Sequence, residues 1–133
     1  MLKEKSCGTI ILKDKEVLLL KQNNSNFSFP KGHVEEGETE IETALRETKE
    51  ETNLDVLIDE SKRFVTNYII DEKIAKEVVY FLARPLSENI IIQESEIEEY
   101  SWIDIDDVID YMYYEESKIF WLEVLEQIKK QIT

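Results

Sequence analysis

The amino-acid sequence predicts an α/β (α+β) fold in which a mixed β-sheet is covered by helices on both faces. Segments rich in β-branched and aromatic residues lie on both sides of a well-capped helix. A long amphipathic helix then ends the chain. Strands that share one hydrophobic core with two such helices are expected to form a layer between them.

The first part of the chain predicts a β-hairpin followed by a glycine-containing loop. Residues Ser6 to Leu12 are β-rich, Lys13-Asp14-Lys15 is a polar turn, and Val17 to Leu20 forms a second apolar strand. The segment Phe29 to Glu38 holds two of the three glycines of the chain. We expect a loop there, in which glycine permits positive φ and a close approach of the backbone to a ligand.

A helix is predicted from Glu40 to Thr52. Thr39 precedes it as the N-cap, and Glu42 follows three residues later to complete a capping box. Asn53 is able to adopt the left-handed conformation that ends a helix. Helical spacing predicts a core-facing stripe formed by Ile41, Ala44, Leu45 and Thr48.

The second half of the chain predicts more strands and a terminal helix. Residues 56–58 form a short strand, and residues 63–70 and 75–83 form a second hairpin. Residues 98–103 form another strand, after which Asp104 or Asp106 is expected to cap a helix that runs to Met112. The final helix spans residues 115–132 and is expected to bury Ile119, Leu122, Leu125 and Ile128.

Length, composition and charge limit the classes of function. A chain of 133 residues with 42% hydrophobic residues indicates a single globular domain over residues 1–133. The net charge of −14 argues against binding to duplex nucleic acid, which is contacted mainly through Lys and Arg. The sequence carries no signal for a particular oligomeric state.

The location of the protein is predicted from its cysteine content and its apolar segments. Cys7 is the only cysteine, which excludes a disulfide within the chain and favours a reducing compartment. No apolar segment is long enough to span a bilayer, and the charged first residues do not resemble a secretory signal. We therefore expect a cytoplasmic protein without a membrane partner.

Three glutamates, Glu47, Glu50 and Glu51, share one face of the predicted helix beside the glycine loop. Like charges at this spacing repel by roughly 0.2–0.5 kcal/mol per pair on an exposed helix. A divalent cation would reverse that sign, because hard cations bind carboxylate oxygens together with substrate phosphates. Arg46 lies one turn before Glu50 and can orient its carboxylate. The alternative interpretation is a solvated acidic face.

The spacing of these residues resembles the Nudix box, the signature of MutT-like pyrophosphohydrolases. Gly32 is followed after five residues by Glu38, and after seven more by Arg46-Glu47-Thr48-Lys49-Glu50-Glu51-Thr52-Asn53-Leu54. Thr48 replaces the usual bulky aliphatic residue, and Asn53 replaces the usual glycine. The resemblance implies an α/β/α sandwich and an enzyme that hydrolyses phosphoric anhydride bonds, with Mg²⁺ or Mn²⁺ as its cofactor.

The resemblance also implies roles for individual residues. Glu50 is expected to contribute most to catalysis, Arg46 to orient Glu50, and Lys31 to contact a phosphate. The implied metal ligands are the carbonyl of Gly32 and the carboxylates of Glu47, Glu50 and Glu51.

Further segments resemble one branch of the family, the asymmetrical diadenosine tetraphosphate hydrolases. The similarity includes Pro30 to Glu35 within the box region and the strand segments around Tyr68 and Tyr80. Tyrosines in those strands sandwich an adenine in that branch, which implies substrate contacts for Tyr68 and Tyr80. Glu96, six residues before Trp102, matches a catalytic carboxylate that helps to bind metal or to activate water.

The leading functional hypothesis is a metal-dependent pyrophosphohydrolase of a nucleoside diphosphate linked to another group, such as diadenosine tetraphosphate. The alternatives within the enzyme class are a MutT-like hydrolase of damaged nucleotides and a hydrolase of the RNA 5′-triphosphate. An alternative from another class is a noncatalytic Nudix domain that senses a nucleotide. The intact Arg46-Glu47 and Glu50-Glu51 pairs argue against the sensor.

Overall fold

The computed structural model describes residues 1–132, except for the side chain of residue 132, and contains one sheet between two helices. The helices are α1 (Glu40–Thr52) and α2 (Glu115–Ile132), and a short 3₁₀ helix spans Val108–Tyr111. The strands are β1 (Leu2–Lys13), β2 (Glu16–Gln22), β3 (Phe27–Ser28), β4 (Lys31–His33), β5 (Val56–Ile70), β6 (Ile74–Pro85) and β7 (Ile97–Asp104).

Strand β1 is the centre of the sheet. It pairs antiparallel with β2 and β4 and parallel with β6. The strand order is β3-β2-β1-β6-β5, with β7 added beside β2 and β4 beside β1. The antiparallel pairs β1–β2 and β5–β6 are the two predicted hairpins. The prediction of a mixed sheet is therefore confirmed.

The alternation of side chains along β6 explains why the sheet carries a helix on each face. Val79 and Phe81 lie in the apolar cluster that contains Ala44 of α1. The intervening β6 residues point the opposite way, into a larger cluster to which α2 contributes Trp121, Val124 and Ile128. The predicted α/β/α arrangement is confirmed, and within residues 1–132 neither helix is long and apolar enough to cross a membrane.

Helix α1 begins and ends at the predicted residues. The Thr39 hydroxyl accepts from the Glu42 N–H at 3.1 Å, and the Glu42 carboxylate accepts from the Thr39 N–H at 2.9 Å. These two bonds form the predicted capping box. Asn53 adopts φ 68°, and its N–H donates to the Lys49 carbonyl to close the C-terminus.

The buried face of α1 differs from the predicted stripe. Ala44 and Thr48 are fully buried, as predicted, and Ile41 is half-buried, but Leu45 is 39% exposed and Thr52, outside the predicted stripe, is fully buried. The Thr48 hydroxyl lies 2.7 Å from the Thr9 hydroxyl of β1. A polar pair between helix and sheet therefore helps to set the rotation of α1, which apolar periodicity alone did not indicate.

Helix α2 has the predicted bounds, but the prediction that Ile119 and Leu122 are buried is wrong. These two side chains are 58% and 51% exposed, while Trp121 and Val124 are fully buried. The Trp121 indole N–H also donates to the Ile105 carbonyl at 3.3 Å. The predicted stripe and the stripe that contains Trp121 and Val124 both have helical spacing. The stripe with the large aromatic residue faces the core. Ile128 is buried, as predicted.

Two local predictions from the second half of the chain are also wrong. Strand β5 is continuous from Val56 to Ile70, with an irregularity in its pairing between Asp59 and Arg63. The expected helix to Met112 is only a short 3₁₀ helix, because the Asp104 carboxylate accepts from the Asp106 N–H at 2.8 Å and forms a local turn instead.

The buried hydroxyl pair predicts a non-additive effect on stability. Thr48→Val or Thr9→Val leaves the other hydroxyl buried without its partner, so each single variant should lower the free energy of unfolding by about 1–3 kcal/mol. The double variant replaces both hydroxyls by methyl groups of similar shape and should recover most of that loss. Urea unfolding of the four proteins measures the coupling. Additive losses in the double variant would contradict this account.

Candidate active site

Strand β4 brings the backbone at Gly32 against a carboxylate of α1. The expected loop conformation is wrong for Gly32, which pairs with Cys7 in the sheet, and only Gly37 among the glycines has positive φ. Position 32 requires glycine for a different reason, because a Cβ there would overlap the Glu47 carboxylate. The close approach of the backbone at Gly32 is therefore to a predicted metal ligand.

A second carboxylate of α1 is buried beside Glu47. Glu51 is 3% exposed. Burial and then the negative charge of Glu47 raise the pKa of Glu51 to about 8, against the opposing charge of Lys31. This crowded pair fits a hard divalent cation, because such ions bind carboxylate oxygens and favour their ionised forms.

The Arg46 guanidinium connects the glutamates of the box. It binds Glu38 in a bidentate manner, through Nε at 2.7 Å and Nη2 at 3.0 Å. Nη1 donates to Glu47 at 2.8 Å and to Glu50 at 3.3 Å. The predicted contact with Glu50 is present, but the shorter bonds go to Glu38 and Glu47. Arg46 therefore orients more than one carboxylate.

Glu38 is a residue of the candidate site to which no role was assigned from the sequence. Its Oε1 atom accepts from the Glu35 N–H at 3.0 Å and from the Thr43 hydroxyl at 2.9 Å. The hydrogen bond from Arg46, followed by these bonds, lowers the pKa of Glu38 to about 2. Glu38 thus ties the loop after β4 to α1. The available signal was its fixed spacing from Gly32 and Arg46.

Lys31 and Glu96 reach the same region from two other elements. The negative charges of Glu51, Glu47 and Glu96 all interact electrostatically with the Lys31 ammonium. Glu96 is exposed and precedes β7. Its segment is anchored to the end of α1, because the Gln93 N–H donates to the Glu51 carbonyl at 3.2 Å and the Glu96 N–H donates to the Gln93 carbonyl at 3.0 Å.

The predicted metal ligands do not all point to one place. Glu47 and Glu51 converge, whereas Glu50 directs its carboxylate toward Arg46 and its side chain is 48% exposed. Among residues 1–132, no three carboxylate, imidazole or thiol groups are arranged to hold a metal ion. Binding through all three glutamates therefore requires Glu50 to turn from Arg46 toward the pair.

A cleft of about 670 Å³ opens beside Lys31. Tyr68 lines it from β5 and is half-buried, and Tyr114, the residue just before α2, lines it as well and is 55% exposed. Tyr80 is only 5% exposed and packs edge-to-face against Phe29, with ring centroids 5.3 Å apart. The aromatic residues that line the cleft are Phe27, Phe29, Tyr68, Tyr80, Tyr114 and Phe120. The sequence reasoning did not find Tyr114, which lies just before the periodic part of α2.

Comparison with known proteins identifies the family. Residues 3–121 match the model of the NUDIX domain. The chain is also 34% identical to an asymmetrical bis(5′-nucleosyl)-tetraphosphatase of Mus musculus over 132 residues, which cover 86% of this chain and 88% of the relative. The chain belongs to the Nudix family. The prediction of a Nudix hydrolase that acts on phosphoric anhydride bonds is confirmed.

Solved structures agree with the Nudix assignment. A binary complex of a Caenorhabditis elegans Ap4A hydrolase superposes with a TM-score of 0.82 at 29% identity, over 97% of both chains. A MutT Nudix hydrolase from Burkholderia pseudomallei gives a TM-score of 0.77 at 20% identity, over 96% of this chain and 99% of the other, and shares the fold. Nudix hydrolases generally use divalent metals, which agrees with the crowded carboxylates of this chain.

Gly32→Ala should separate the function of this Nudix site from its stability. The new methyl group must displace the flexible end of Glu47, so the protein should fold while hydrolysis falls about 100-fold, as misplacement of a catalytic group by about 1 Å can do. Gly37→Asn is the control, because asparagine tolerates positive φ and nothing lies near that Cβ position. Steady-state kinetics and urea unfolding measure both effects. Normal turnover by Gly32→Ala would contradict the role of Glu47.

Proposed function

We propose that this Nudix hydrolase cleaves dinucleoside polyphosphates such as diadenosine tetraphosphate, with Mg²⁺ or Mn²⁺ as its cofactor. The observation that carries the proposal is that the acidic site and the aromatic cleft meet at Lys31. This residue lines the cleft, and its positive charge interacts with the negative charges of Glu47, Glu51 and Glu96. A nucleotide base in the cleft would place its phosphates beside these carboxylates.

The crowding of Glu47 and Glu51 supports a metal site. In the proposal, Glu47, Glu50, Glu51 and the Gly32 carbonyl hold the divalent ions, and Arg46 keeps the carboxylates oriented before the metal binds. When bound, Mg²⁺ or Mn²⁺ lowers the pKa of the attacking water and neutralises charge on the phosphoryl oxygens. Glu38 contributes indirectly, because it binds the Nε–Nη2 edge of the Arg46 guanidinium at 2.7 and 3.0 Å.

The remaining side chains bind the substrate or move a proton. The Lys31 ammonium contacts a phosphate, and its positive charge offsets the negative charge of the carboxylates around it. Glu50 is the residue assigned to accept a proton from water, since its carboxylate is the most accessible of the three on α1. Glu96 approaches from the segment before β7, where its carboxylate either assists in metal binding or activates water.

The cleft supports an aromatic base in the substrate. Tyr68 presents its ring from β5 and Tyr114 from the residue just before α2, and Tyr80 contributes a buried ring to the lining. Base stacking on an aromatic side chain contributes roughly 1–3 kcal/mol in nucleic-acid complexes. The names of the mouse relative and of the C. elegans structure favour a dinucleoside tetraphosphate over other nucleotides.

The net charge of −14 favours a small nucleotide over a long RNA, because a polyanion is repelled by the protein as a whole. The same reasoning supports the absence of duplex nucleic acid among its partners. The buried free thiol of Cys7 is consistent with the cytoplasmic location that we assign to this single-domain enzyme.

Replacement of Glu50 tests the catalytic assignment. Glu50→Gln removes the charge but keeps the shape, so turnover of diadenosine tetraphosphate should fall at least about 100-fold, the lower range of general base catalysis. Glu42→Gln is a matched control on the same helix, because glutamine also completes a capping box. Product release in excess Mg²⁺ is the measurement. Undiminished activity of Glu50→Gln would end the assignment, and nucleotide binding without hydrolysis by the wild type would favour the sensor.

Adjacent tyrosines test the position of the base. Tyr114 lines the cleft, whereas Tyr113 is 78% exposed and contacts Tyr114 edge-to-face, with ring centroids 5.0 Å apart. Tyr114→Ala should raise KM for diadenosine tetraphosphate about tenfold, the equivalent of one stacking contact, and Tyr113→Ala should change it little. A substrate panel that includes damaged triphosphates and 5′-triphosphate RNA checks the proposed specificity. Equal effects of the two variants would place the base elsewhere.

A further inference from the structure

The hydroxyl of Ser6 has no hydrogen-bond partner in the fold. Ser6 is 1% exposed, and its Oγ atom is buried without a partner among the residues that the structure describes. Buried polar atoms are usually paired, and an unpaired one destabilises the folded protein. Local rules broken without a gain in stability are most often found at functional sites.

Strand pairing places Ser6 on the face of the sheet that opens into the cleft. Ser6 lies beside Val78 of β6 and opposite His33 of β4, and residues paired in this way share a face of the sheet. Val78 lines the cleft, as do Thr66, the partner of Val78 on β5, and Lys31. The unpaired hydroxyl therefore faces the side of the sheet on which the proposed substrate binds.

Two lysines flank this position on neighbouring strands. Lys31 lies two residues before His33 on β4, and Lys76 lies two residues before Val78 on β6. The positive charge of Lys76 repels that of Lys31, and neither side chain forms an ion pair within residues 1–132. The Glu4 carboxylate on the same face lies 3.5 Å from His33 Nε2. An anion between the lysines would relieve their repulsion and supply an acceptor for Ser6.

We propose that the Ser6 hydroxyl donates a hydrogen bond to a phosphoryl oxygen of the substrate's polyphosphate chain, held between Lys31 and Lys76. The inference deepens the proposed function and rests on it for the identity of the substrate. Lys31 lies two residues from the strand partner of Ser6 on β4, so a polyphosphate that extends from the acidic pair past Lys31 would run along the sheet face that carries Ser6.

Binding of inorganic tripolyphosphate in the presence of EDTA tests the hydroxyl without metal or turnover. The wild type should bind it, and Ser6→Ala should bind about tenfold more weakly, as expected for loss of one hydrogen bond to a charged group. Ser61→Ala is the matched control, since its hydroxyl donates to Asp59 at 2.6 Å on the bulged part of β5. Isothermal titration calorimetry gives the dissociation constants. Equal binding by wild type and Ser6→Ala, or no binding by the wild type, would overturn the inference.

Stability and kinetics separate this role from a structural one. Ser6→Ala removes an unpaired buried hydroxyl, so its urea midpoint should equal or exceed that of the wild type. KM for diadenosine tetraphosphate should rise by about the same tenfold with kcat unchanged, because the contact is made in the bound ground state as well. A lowered urea midpoint with unchanged KM would assign the hydroxyl to the fold and overturn the inference.

The two proposals fail in distinguishable ways. A wild-type protein that binds tripolyphosphate through Ser6 but hydrolyses no dinucleoside polyphosphate would refute the proposed substrate and leave the anion contact intact. A wild-type protein that hydrolyses diadenosine tetraphosphate while Ser6→Ala is unchanged in binding and in KM would refute only the role of Ser6.

Discussion

The crowding of carboxylates on α1 is the constraint on which the rest of the site depends. Glu51 is buried beside Glu47, and its pKa is raised to about 8 because burial and the neighbouring charge both oppose ionisation. Folding alone favours neither the burial of a carboxylate nor its placement beside another one, since buried charges require compensation. Arg46 offsets the charge of Glu47 through a hydrogen bond of 2.8 Å, but its bidentate contact is with Glu38. The pair of Glu47 and Glu51 would therefore be stabilised by a further positive charge.

The sheet explains how these groups are held in place. Strand β4 pairs with β1 and presents Gly32, which leaves space for the Glu47 carboxylate, while α1 packs on β1 through the Thr9–Thr48 hydroxyl pair. Strands β5 and β6 carry the cleft, so the proposed base and phosphate subsites lie on elements of one continuous sheet. Such rigid support suits an active site whose groups must be positioned before the substrate arrives.

Local signals predicted the bounds of α1 and α2 well, but not the rotation of these helices or their distant partners. The capping box at Thr39 and the left-handed Asn53 fix α1 because they depend only on neighbouring residues. Leu45 and Ile119 were misassigned because periodicity identifies a stripe but does not decide which of two stripes meets the core. The shared helix face and the box resemblance identified Glu47 and Glu51, whereas the hydrogen bonds of Glu38 and the place of Tyr114 in the cleft arise from chain segments that meet only in the folded protein.

Calorimetric titration of Mg²⁺ and Mn²⁺ into the protein, with and without a nucleotide, tests the central claim most directly. The account predicts saturable binding that requires the acidic pair and is strongly weakened in Glu47→Gln and Glu51→Gln, since each variant removes a negatively charged ligand. Proton release on metal binding should accompany it, because the cation favours the ionised form of Glu51. Failure to bind either ion, even with the nucleotide present, or equal binding by the variants, would contradict the account.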